Sequence, residues 1–598
     1  VDIAELLADY RDGSADPAQV VERAYERAGA AAEPAWISLV PWSTIRACLA
    51  QLRATGTDLP LYGVPFAIKD NIDVAGVPTT AACPAFAYQP ERSAFAVARL
   101  MAAGAVPIGK TNMDQFATGL TGTRTPHGAC ASVVDPRYIG GGSSSGSAVV
   151  VADGTVPFAL GTDTAGSGRV PAAFNAIVGF KPSLGRVSTR GVVPACRTLD
   201  CVSLLTTDVA GAARLLDVIT GPDPSDPYSR APAPDGSKRL PWGAAGARIA
   251  VPAAAQLTFC DDGFAKAAWS RTLERVAALG WKTVEIDFEP FLEAARMLYE
   301  GPWIAERFAA VGQFIADHPG DVDPIVRAVI MAGRDRSAVE AFAAQHRLAE
   351  LRRVTRPVWE SADALLAPTA PTVFTAAEIA EEPIARNALL GTYTNFVNLL
   401  DLCAIALPGA VRGDGLPFGV SFIAPSGADR SLLTLAARWC DEHGGRERER
   451  GHDGEGAGVV AVAVVGAHLS GEPLNGELLA LGARLLETAR TAPTYRLFEL
   501  PDARPPKPGL VGGGRSIGDG IEVEIWKLDT ESFGRLVANV PPPLAIGTIA
   551  LHDGRRVKGF LCEADAVAGA REITSFGGWR AYRGSLGLAD ASTPSADG

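Results

Sequence analysis

Apolar residues recur at helical spacing near the start of the chain. Val20, Val21, Ala24 and Ala28 share one face of a segment introduced by Asp16-Pro17, an N-cap residue with proline at the first helical position. Residues 2–33 are therefore expected to be helical. The period then changes. Residues 61–68, Leu-Tyr-Gly-Val-Pro-Phe-Ala-Ile, form a short apolar run that predicts a buried strand ending at Lys69. A helix over 95–103 and a strand over 106–108 follow, and long helical stretches rich in alanine, arginine and glutamate occupy 262–280 and 337–362. Helices and strands that alternate in this way predict an α/β fold with a mixed central sheet flanked by helices.

The apolar pattern stops at residues 443–458, where His-Gly-Gly-Arg-Glu-Arg-Glu-Arg-Gly-His-Asp-Gly-Glu-Gly begins. Such a stretch buries too little apolar surface to offset the entropy of ordering it, and a linker is expected. A new apolar run, Val459-Val460-Ala461-Val462-Ala463-Val464-Val465, predicts a buried strand. A helix over 475–486 and β-rich segments at 521–527, 544–551 and 557–562 complete a smaller α+β domain. The expected organisation is a domain over 1–442, a linker over 443–458, a second domain over 459–588 and a disordered tail over 589–598.

Composition narrows the class. The chain has 598 residues, 47% hydrophobic and 20% charged, with a net charge of −12. That balance argues against nucleic acid as a partner but not against a small anion, because a few local arginines outweigh a distant net charge. The nine cysteines are scattered without a Cys-x-x-Cys pair, which reads as reduced thiols in the cytoplasm. No basic-plus-apolar leader pattern opens the sequence, and no apolar stretch reaches membrane-spanning length. The seven histidines show no metal-site spacing, so no metal or other cofactor is expected.

Two glycine-framed serine segments carry the candidate chemistry. Gly140-Gly141-Gly142-Ser143-Ser144-Ser145-Gly146-Ser147 is followed by Gly161-Thr162-Asp163-Thr164-Ala165-Gly166-Ser167-Gly168-Arg169, which sets Ser143 and Ser167 24 positions apart. A serine hydroxyl needs a base to become a nucleophile, and a lysine whose pKa is lowered by burial can serve. Lys69 stands directly after the apolar run at 61–68. Asp163 and Arg169 flank Ser167 and are expected to form an ion pair that holds the loop, while Ser144, Ser145 and Ser147 are expected to support theirs. Two other motif matches fail on context. Gly104 to Thr111 fits a phosphate-binding G-x-x-x-x-G-K-T, but Pro107 lacks an N–H and residues 106–108 read as strand. Gly142 to Gly146 fits a nucleophile elbow, but no strand precedes it.

These residues together resemble the amidase signature family. Gly109-Lys110-Thr111-Asn112-Met113-Asp114, Val170-Pro171-Ala172-Ala173-Phe174 and Gly179-Phe180-Lys181-Pro182-Ser183 fit the same family, and the resemblance covers residues 1–440 in the family's order. It implies a serine–cis-serine–lysine triad with Lys69 as base, Ser143 as bridge and Ser167 as nucleophile. It also implies an oxyanion hole built from the backbone N–H groups of Thr164, Ala165, Gly166 and Ser167.

Three further segments are similar to the allophanate hydrolases within that family: 298–308, 391–401 and 464–475. The implied reaction is release of ammonia and carbon dioxide from allophanate, a urea that carries a carboxylate. Arginine suits a carboxylate because its rigid fork donates two parallel hydrogen bonds. Arg307 is the candidate clamp with Tyr299 beside it, Gly122 and Thr123 are candidates to line the pocket, and Arg124 is a second clamp candidate. The second domain resembles a γ-glutamylcyclotransferase-like fold associated with a decarboxylating step, for which His468 is the candidate residue. The resemblance also implies a homodimer and a urea carboxylase partner. Another amidase acting on biuret, malonamide or a glutamine-type amide, and a non-catalytic scaffold with the same fold, are the alternatives.

Overall fold

Asp2 and Asp16 start the first two helices, Ile3–Asp12 and Pro17–Ala30, by accepting hydrogen bonds from the N–H groups of Ala4 and Ala18. Gly13, at φ +80°, ends the first of them, and the second begins at the Asp16-Pro17 cap as expected. Val21, Ala24 and Ala28 are the buried face of the second helix. The computed structural model describes residues 2–31, 34–55, 58–230, 246–451, 459–500, 504–512, 518–552 and 556–586. The chain divides into two units, Val1–Trp439 and Cys440–Gly598.

The first unit is built on an eleven-stranded mixed sheet. Its strands in chain order are β1 Trp36–Leu39, β2 Pro65–Lys69, β3 Val106–Thr111, β4 Phe158–Thr162, β5 Val178–Lys181, β6 Val202–Thr206, β7 Arg248–Pro252, β8 Lys282–Ile286, β9 Ala364–Pro368, β10 Leu402–Pro408 and β11 Gly419–Pro425. In space they run β1-β3-β2-β4-β6-β5-β10-β11-β9-β7-β8. β2 pairs in parallel with both β3 and β4, whereas β4–β6, β5–β6 and β5–β10 are antiparallel. Strands β2 to β6 are buried at every position, including polar residues such as Lys69, Lys110, Thr111, Lys181 and Ser203 that they carry. Helix Ser145–Ala152 is buried along its first seven residues and packs on β2 and β4. The helices expected over 262–280 and 337–362 occur as Gly263–Ala278 and as Ala338–Thr355 with Val358–Ser361.

Lys110, the lysine of the phosphate-loop match, lies in β3 with no exposure. Its Nζ is 3.2 Å from Asp70 Oδ1 and donates to Thr79 Oγ1 at 3.0 Å. It is a buried structural cation.

Helix Asp429–Gly451 runs through residues 443–451, where a linker was expected. Arginine and glutamate lose little rotamer freedom in a helix, so a run of them is compatible with its continuation. The rest of that linker, 452–458, and the tail at 589–598 lie outside the described residues.

The second unit contains β12 Val459–Val464, β13 Arg484–Arg490, β14 Arg496–Glu499, β15 Pro508–Val511, β16 Glu522–Asp529, β17 Leu544–Ala550 and β18 Arg556–Cys562. A five-stranded sheet runs β13-β16-β12-β18-β17, with only β12–β18 parallel, and β14–β15 form a separate pair. Val462, Val464, Ile525 and Trp579 lie in its core. The helix expected over 475–486 stops at Ala480. Gly482, at φ +74°, turns the chain, and Leu485 and Leu486 sit exposed on the edge strand β13. The fold is thus a mixed α/β core with a smaller α+β unit. Among the described residues, no helix is long and apolar enough to cross a membrane.

Gly146 sets one packing limit. A Cβ there would lie 2.3 Å from Ala35 O and 2.6 Å from Asn112 N, both backbone atoms. Gly146→Ala should cost ~1–3 kcal/mol through overpacking. A melting temperature equal to that of the unsubstituted protein would contradict this packing.

Candidate active site

Parallel pairing places the site. β2 and β4 are in register through Phe66↔Phe158 to Ile68↔Leu160, so their carboxyl ends, Lys69 and Thr162, emerge side by side. In α/β sheets, ligands bind beyond such strand ends. Lys69 is fully buried, and its Nζ donates to Ser143 Oγ at 2.7 Å and to Thr162 Oγ1 at 2.8 Å. Asn71 Nδ2 donates to the same Thr162 hydroxyl at 3.2 Å. Burial lowers the Lys69 pKa from 10.5 to about 7, although Asp114, Asp163 and Asp200 pull it upward; the Arg307 charge adds to the lowering. A substantial fraction of the amine is therefore neutral near pH 7 and able to take a proton from Ser143.

Ser143 follows a cis Gly142–Ser143 peptide and precedes the buried helix Ser145–Ala152. The neighbouring serines hold the loop, as expected. Ser144 N–H donates to Ser167 O at 3.1 Å and Ser144 Oγ to Thr162 O at 3.2 Å, and Ser147 Oγ donates to Leu160 O at 3.0 Å. Ser145 Oγ is 3.5 Å from Asn112 O. The Ser143 and Ser167 loops are thus tied together through Ser144. Ser167 Oγ forms no hydrogen bond among the described residues, so only the Lys69–Ser143 arm of the expected relay is closed here.

The loop bearing Ser167 wraps around an ion pair without exposure. Arg169 Nε and Nη2 donate to the two Asp163 oxygens at 2.9 Å each. The Asp163 carboxylate also accepts from the N–H groups of Gly166 at 2.8 Å, Gly168 at 3.2 Å and Arg169 at 3.3 Å. Burial alone would raise its pKa, but Arg169, Lys181 and these donors outweigh it and hold the carboxyl below its ordinary value. Gly166 therefore departs from expectation, because its N–H is already bound to Asp163 and does not serve as an oxyanion donor. The N–H groups of Thr164, Ala165 and Ser167 have no acceptor among the described residues.

Gly166 is needed for space. Its φ is +122°, and a Cβ would lie 2.4 Å from Thr394 Oγ1. Thr394 belongs to segment 391–401, which braces the loop from outside. Thr394 Oγ1 donates to Ala165 O at 2.7 Å, Asn398 Nδ2 to Asp163 O at 2.8 Å, and Arg169 Nη2 to Thr394 O at 3.1 Å.

The two arginine candidates separate. Arg124 spends Nη1 on Thr118 O at 3.0 Å and Nη2 on Pro383 O at 2.7 Å, so that only its Nε lacks a partner among the described residues and no two-nitrogen edge is left open. Arg307 is 1% exposed, and Nη1 is held by Thr118 Oγ1 at 3.0 Å and Ala117 O at 3.3 Å. Its Nε has no partner among the described residues, and its Nη2 reaches only Tyr299 OH at 3.4 Å. The Nε–Nη2 edge of a buried guanidinium is thus nearly unsatisfied. Tyr299 stands where expected, with its ring 5.4 Å from the guanidinium. Gly122 packs against the serine loop, where a Cβ would lie 2.7 Å from Gly141 O, and its N–H donates to Asp114 Oδ2 at 3.1 Å. Thr123 Oγ1 is engaged with Thr121 Oγ1 at 2.8 Å.

In the second unit, His468 lies past β12 and stacks on Phe560 with ring centroids 5.0 Å apart. Its Nε2 is 3.1 Å from Glu477 Oε2. Burial lowers its pKa, Glu477 opposes that, and Lys507 reinforces it. Together with Arg504, Lys507 and Asn539 it borders a cavity of about 300 Å³.

Thr162, Asn71 and Asp200 were not singled out in the sequence. Asn71 stands two residues past Lys69, but nothing local marks Thr162 or Asp200, which reach the site through strand pairing and a loop 36 residues past Thr164.

A buried lysine of lowered pKa that holds one serine, with a second, backbone-framed serine in the adjoining loop at the carboxyl ends of strands in a mixed sheet, defines an amide-hydrolysing enzyme. The comparisons agree. The amidase family pattern matches residues 19–433, and the allophanate hydrolase C-terminal domain pattern matches residues 460–584. The chain belongs to the amidase signature family. It is 42% identical to the urea amidolyase of Saccharomyces cerevisiae over 573 residues, 92% of this chain and 31% of that protein. It is 41% identical to the urea amidolyase of Lachancea kluyveri over 575 residues, again 92% of this chain and 31% of that protein. The chain thus spans about a third of the length of these two curated relatives. Among solved structures, Kluyveromyces lactis allophanate hydrolase superposes with a TM-score of 0.71 at 38% identity, covering 98% of this chain and 99% of that one.

Arg169→Ala would leave Asp163 charged, buried and without its counter-ion. A loss of ~3–5 kcal/mol in denaturant unfolding of the first unit is expected. An unfolding midpoint equal to that of the parent protein would show that the pair does not hold the loop.

Proposed function

We propose that the chain hydrolyses allophanate to ammonia and carbon dioxide. The observation that carries this reading is the Nε–Nη2 edge of Arg307, a buried fork with almost no protein acceptor whose charge is felt at Lys69. A carboxylate fits that edge with two parallel hydrogen bonds. An uncharged amide would leave it empty, at the cost of an unsatisfied buried cation.

In this mechanism Lys69, Ser143 and Ser167 are the catalytic residues. Neutral Lys69 accepts a proton from Ser143, which takes the proton of Ser167, and Ser167 Oγ attacks the terminal amide carbon of allophanate. The N–H groups of Thr164, Ala165 and Ser167 are the donors for the developing oxyanion, each contributing ~2.7–4 kcal/mol. The leaving nitrogen takes the proton back through Ser143 and departs as ammonia. Water then attacks the acyl-serine, and its proton returns along the same relay. The product is a nitrogen bearing two carboxylates, which takes up a proton and loses carbon dioxide to leave carbamate, and carbamate takes up a further proton and releases the second ammonia and carbon dioxide.

Arg307 and Tyr299 hold the substrate carboxylate, and Gly122 and Thr123 shape the wall beside the serine loop. The second unit, read as γ-glutamylcyclotransferase-like, assists decarboxylation through His468 and its cavity. The domain limits remain as read from the sequence, 1–442 and 459–588. A homodimer in the cytoplasm, supplied with allophanate by a urea carboxylase, completes the proposal.

Ser167→Ala should lower kcat for ammonia release from allophanate by ~10⁴-fold or more, and unchanged release would remove the nucleophile assignment. Arg307→Ala should raise KM for allophanate by about two orders of magnitude, equivalent to ~3 kcal/mol, while an uncharged analogue such as biuret shows little change. Equal effects on both substrates would favour a different amide.

Because Lys69 acts when neutral, and its neutral fraction grows as pH rises through about 7, kcat/KM should climb with pH through that region. A kcat/KM independent of pH from about 6 to 9 would exclude Lys69 as the base.

A further inference from the structure

We infer that Asp200 is a positioning residue that aims the oxyanion loop through Thr164. The inference rests on the assignment of Lys69, Ser143 and Ser167 made above. Asp200 stands just before β6. Its Oδ1 accepts from Thr164 Oγ1 at 2.5 Å and Cys196 N at 3.1 Å, and its Oδ2 accepts from Ala195 N at 2.9 Å. Three donors and no acceptor suit an ionised carboxylate, which can only accept.

Thr164 carries one of the three N–H groups left without an acceptor. Its side chain is thereby the link between Asp200 and the oxyanion loop. Leu199, the preceding residue, is bonded through its carbonyl to Asn398, the same side chain that braces Asp163. The Asp200 carboxylate is therefore fixed to the frame that holds Ser167.

Asp200 is buried, yet it borders two cavities of about 160 Å³ each, which share Thr189, Arg197, Asp200 and Asp226. Arg190 lines one of them. Arg307 and Lys69 act on it electrostatically from the substrate side, and the thiols of Cys196 and Cys201 are the titratable groups beside it in its own loop. Burial raises its pKa to about 6, against the opposing pull of its three donors and Arg307. Its negative charge raises the pKa of Lys69 in turn. Protonation of Asp200 on the acid side would give Oδ a hydrogen with no acceptor in its set and would loosen Thr164.

Two variants separate orientation from charge. Asp200→Asn removes the charge and turns one of the two acceptor oxygens into an NH2 facing N–H or O–H donors, and should lower kcat on allophanate by ~10–100-fold, leave KM within about twofold, and move the acid limb of kcat/KM to lower pH, because Lys69 loses an attracting anion. Thr164→Val removes the hydrogen bond but keeps the charge, and should lower kcat by ~10-fold with the limb in place. An Asp200→Asn enzyme with the parent kcat, or a Thr164→Val enzyme with the parent kcat, overturns the inference. If Asp200→Asn does not fold, the Thr164→Val result decides. Ser167→Ala measured alongside separates the two levels, since an active variant overturns the mechanism and this inference together, whereas an inactive one leaves the Asp200 outcome to stand or fall on its own.

Discussion

The chemistry of the first unit depends on keeping one amine out of water. Lys69 ends a strand buried at every position, and desolvation takes its pKa from 10.5 to about 7, against three nearby carboxylates that would restore it. Were the amine solvated, it would be protonated at neutral pH and could only donate. Everything around it serves this condition. Thr162 and Ser143 supply oxygens to an amine that would otherwise be an unsatisfied buried polar group.

Holding a serine loop at the end of such a strand creates a second demand, because a glycine-rich segment has no stiffness of its own. Rigidity is imported. Asp163 and Arg169 put a fully desolvated ion pair inside the loop, and Thr394 and Asn398 grip the backbone from a segment more than 220 residues away in sequence. Glycine at 166 is then a consequence of close approach. Its N–H completes the Asp163 cage, and the space where a Cβ would sit is filled by Thr394.

Arg307 shows the same economy. Its Nη1 is fastened to the backbone of 117 and the hydroxyl of 118, while the opposite edge is left nearly bare. Ala117 and its neighbour Phe116 both adopt positive φ, at 53° and 50°, an uncommon conformation for residues with a Cβ that turns this carbonyl toward the guanidinium. In the proposed function, a cation fixed on one side and open on the other selects an anionic substrate. In the second unit, His468 is likewise fixed, by Phe560 on its face and Glu477 at Nε2, on the border of a cavity with two cations.

Much of this was legible in order along the chain. Lys69, Ser143 and Ser167 are marked by their immediate neighbours, and a fully buried strand announces itself as an apolar run because both of its faces are covered. Tyr299 and Arg307 stand eight residues apart, and their pairing was implied by the family resemblance of segment 298–308. What escaped was of two kinds. Where turn chemistry competes with propensity, one glycine decided: Gly482 ends a helix that the leucines after it seemed to continue, and a run of arginine and glutamate after His443 extends a helix where its polarity suggested a linker. The other kind is non-local. That Gly166 gives its N–H to Asp163, that Thr162 shares the lysine's proton, and that Asp200 reaches Thr164 depend on parallel pairing of β2 with β4 and on the loop before β6. Sequence determines which groups are present and which segments are apolar enough to bury them; only the packed chain decides which donor meets which acceptor, because hydrogen-bond partners here are chosen by distances of a few ångströms between residues tens to hundreds of positions apart.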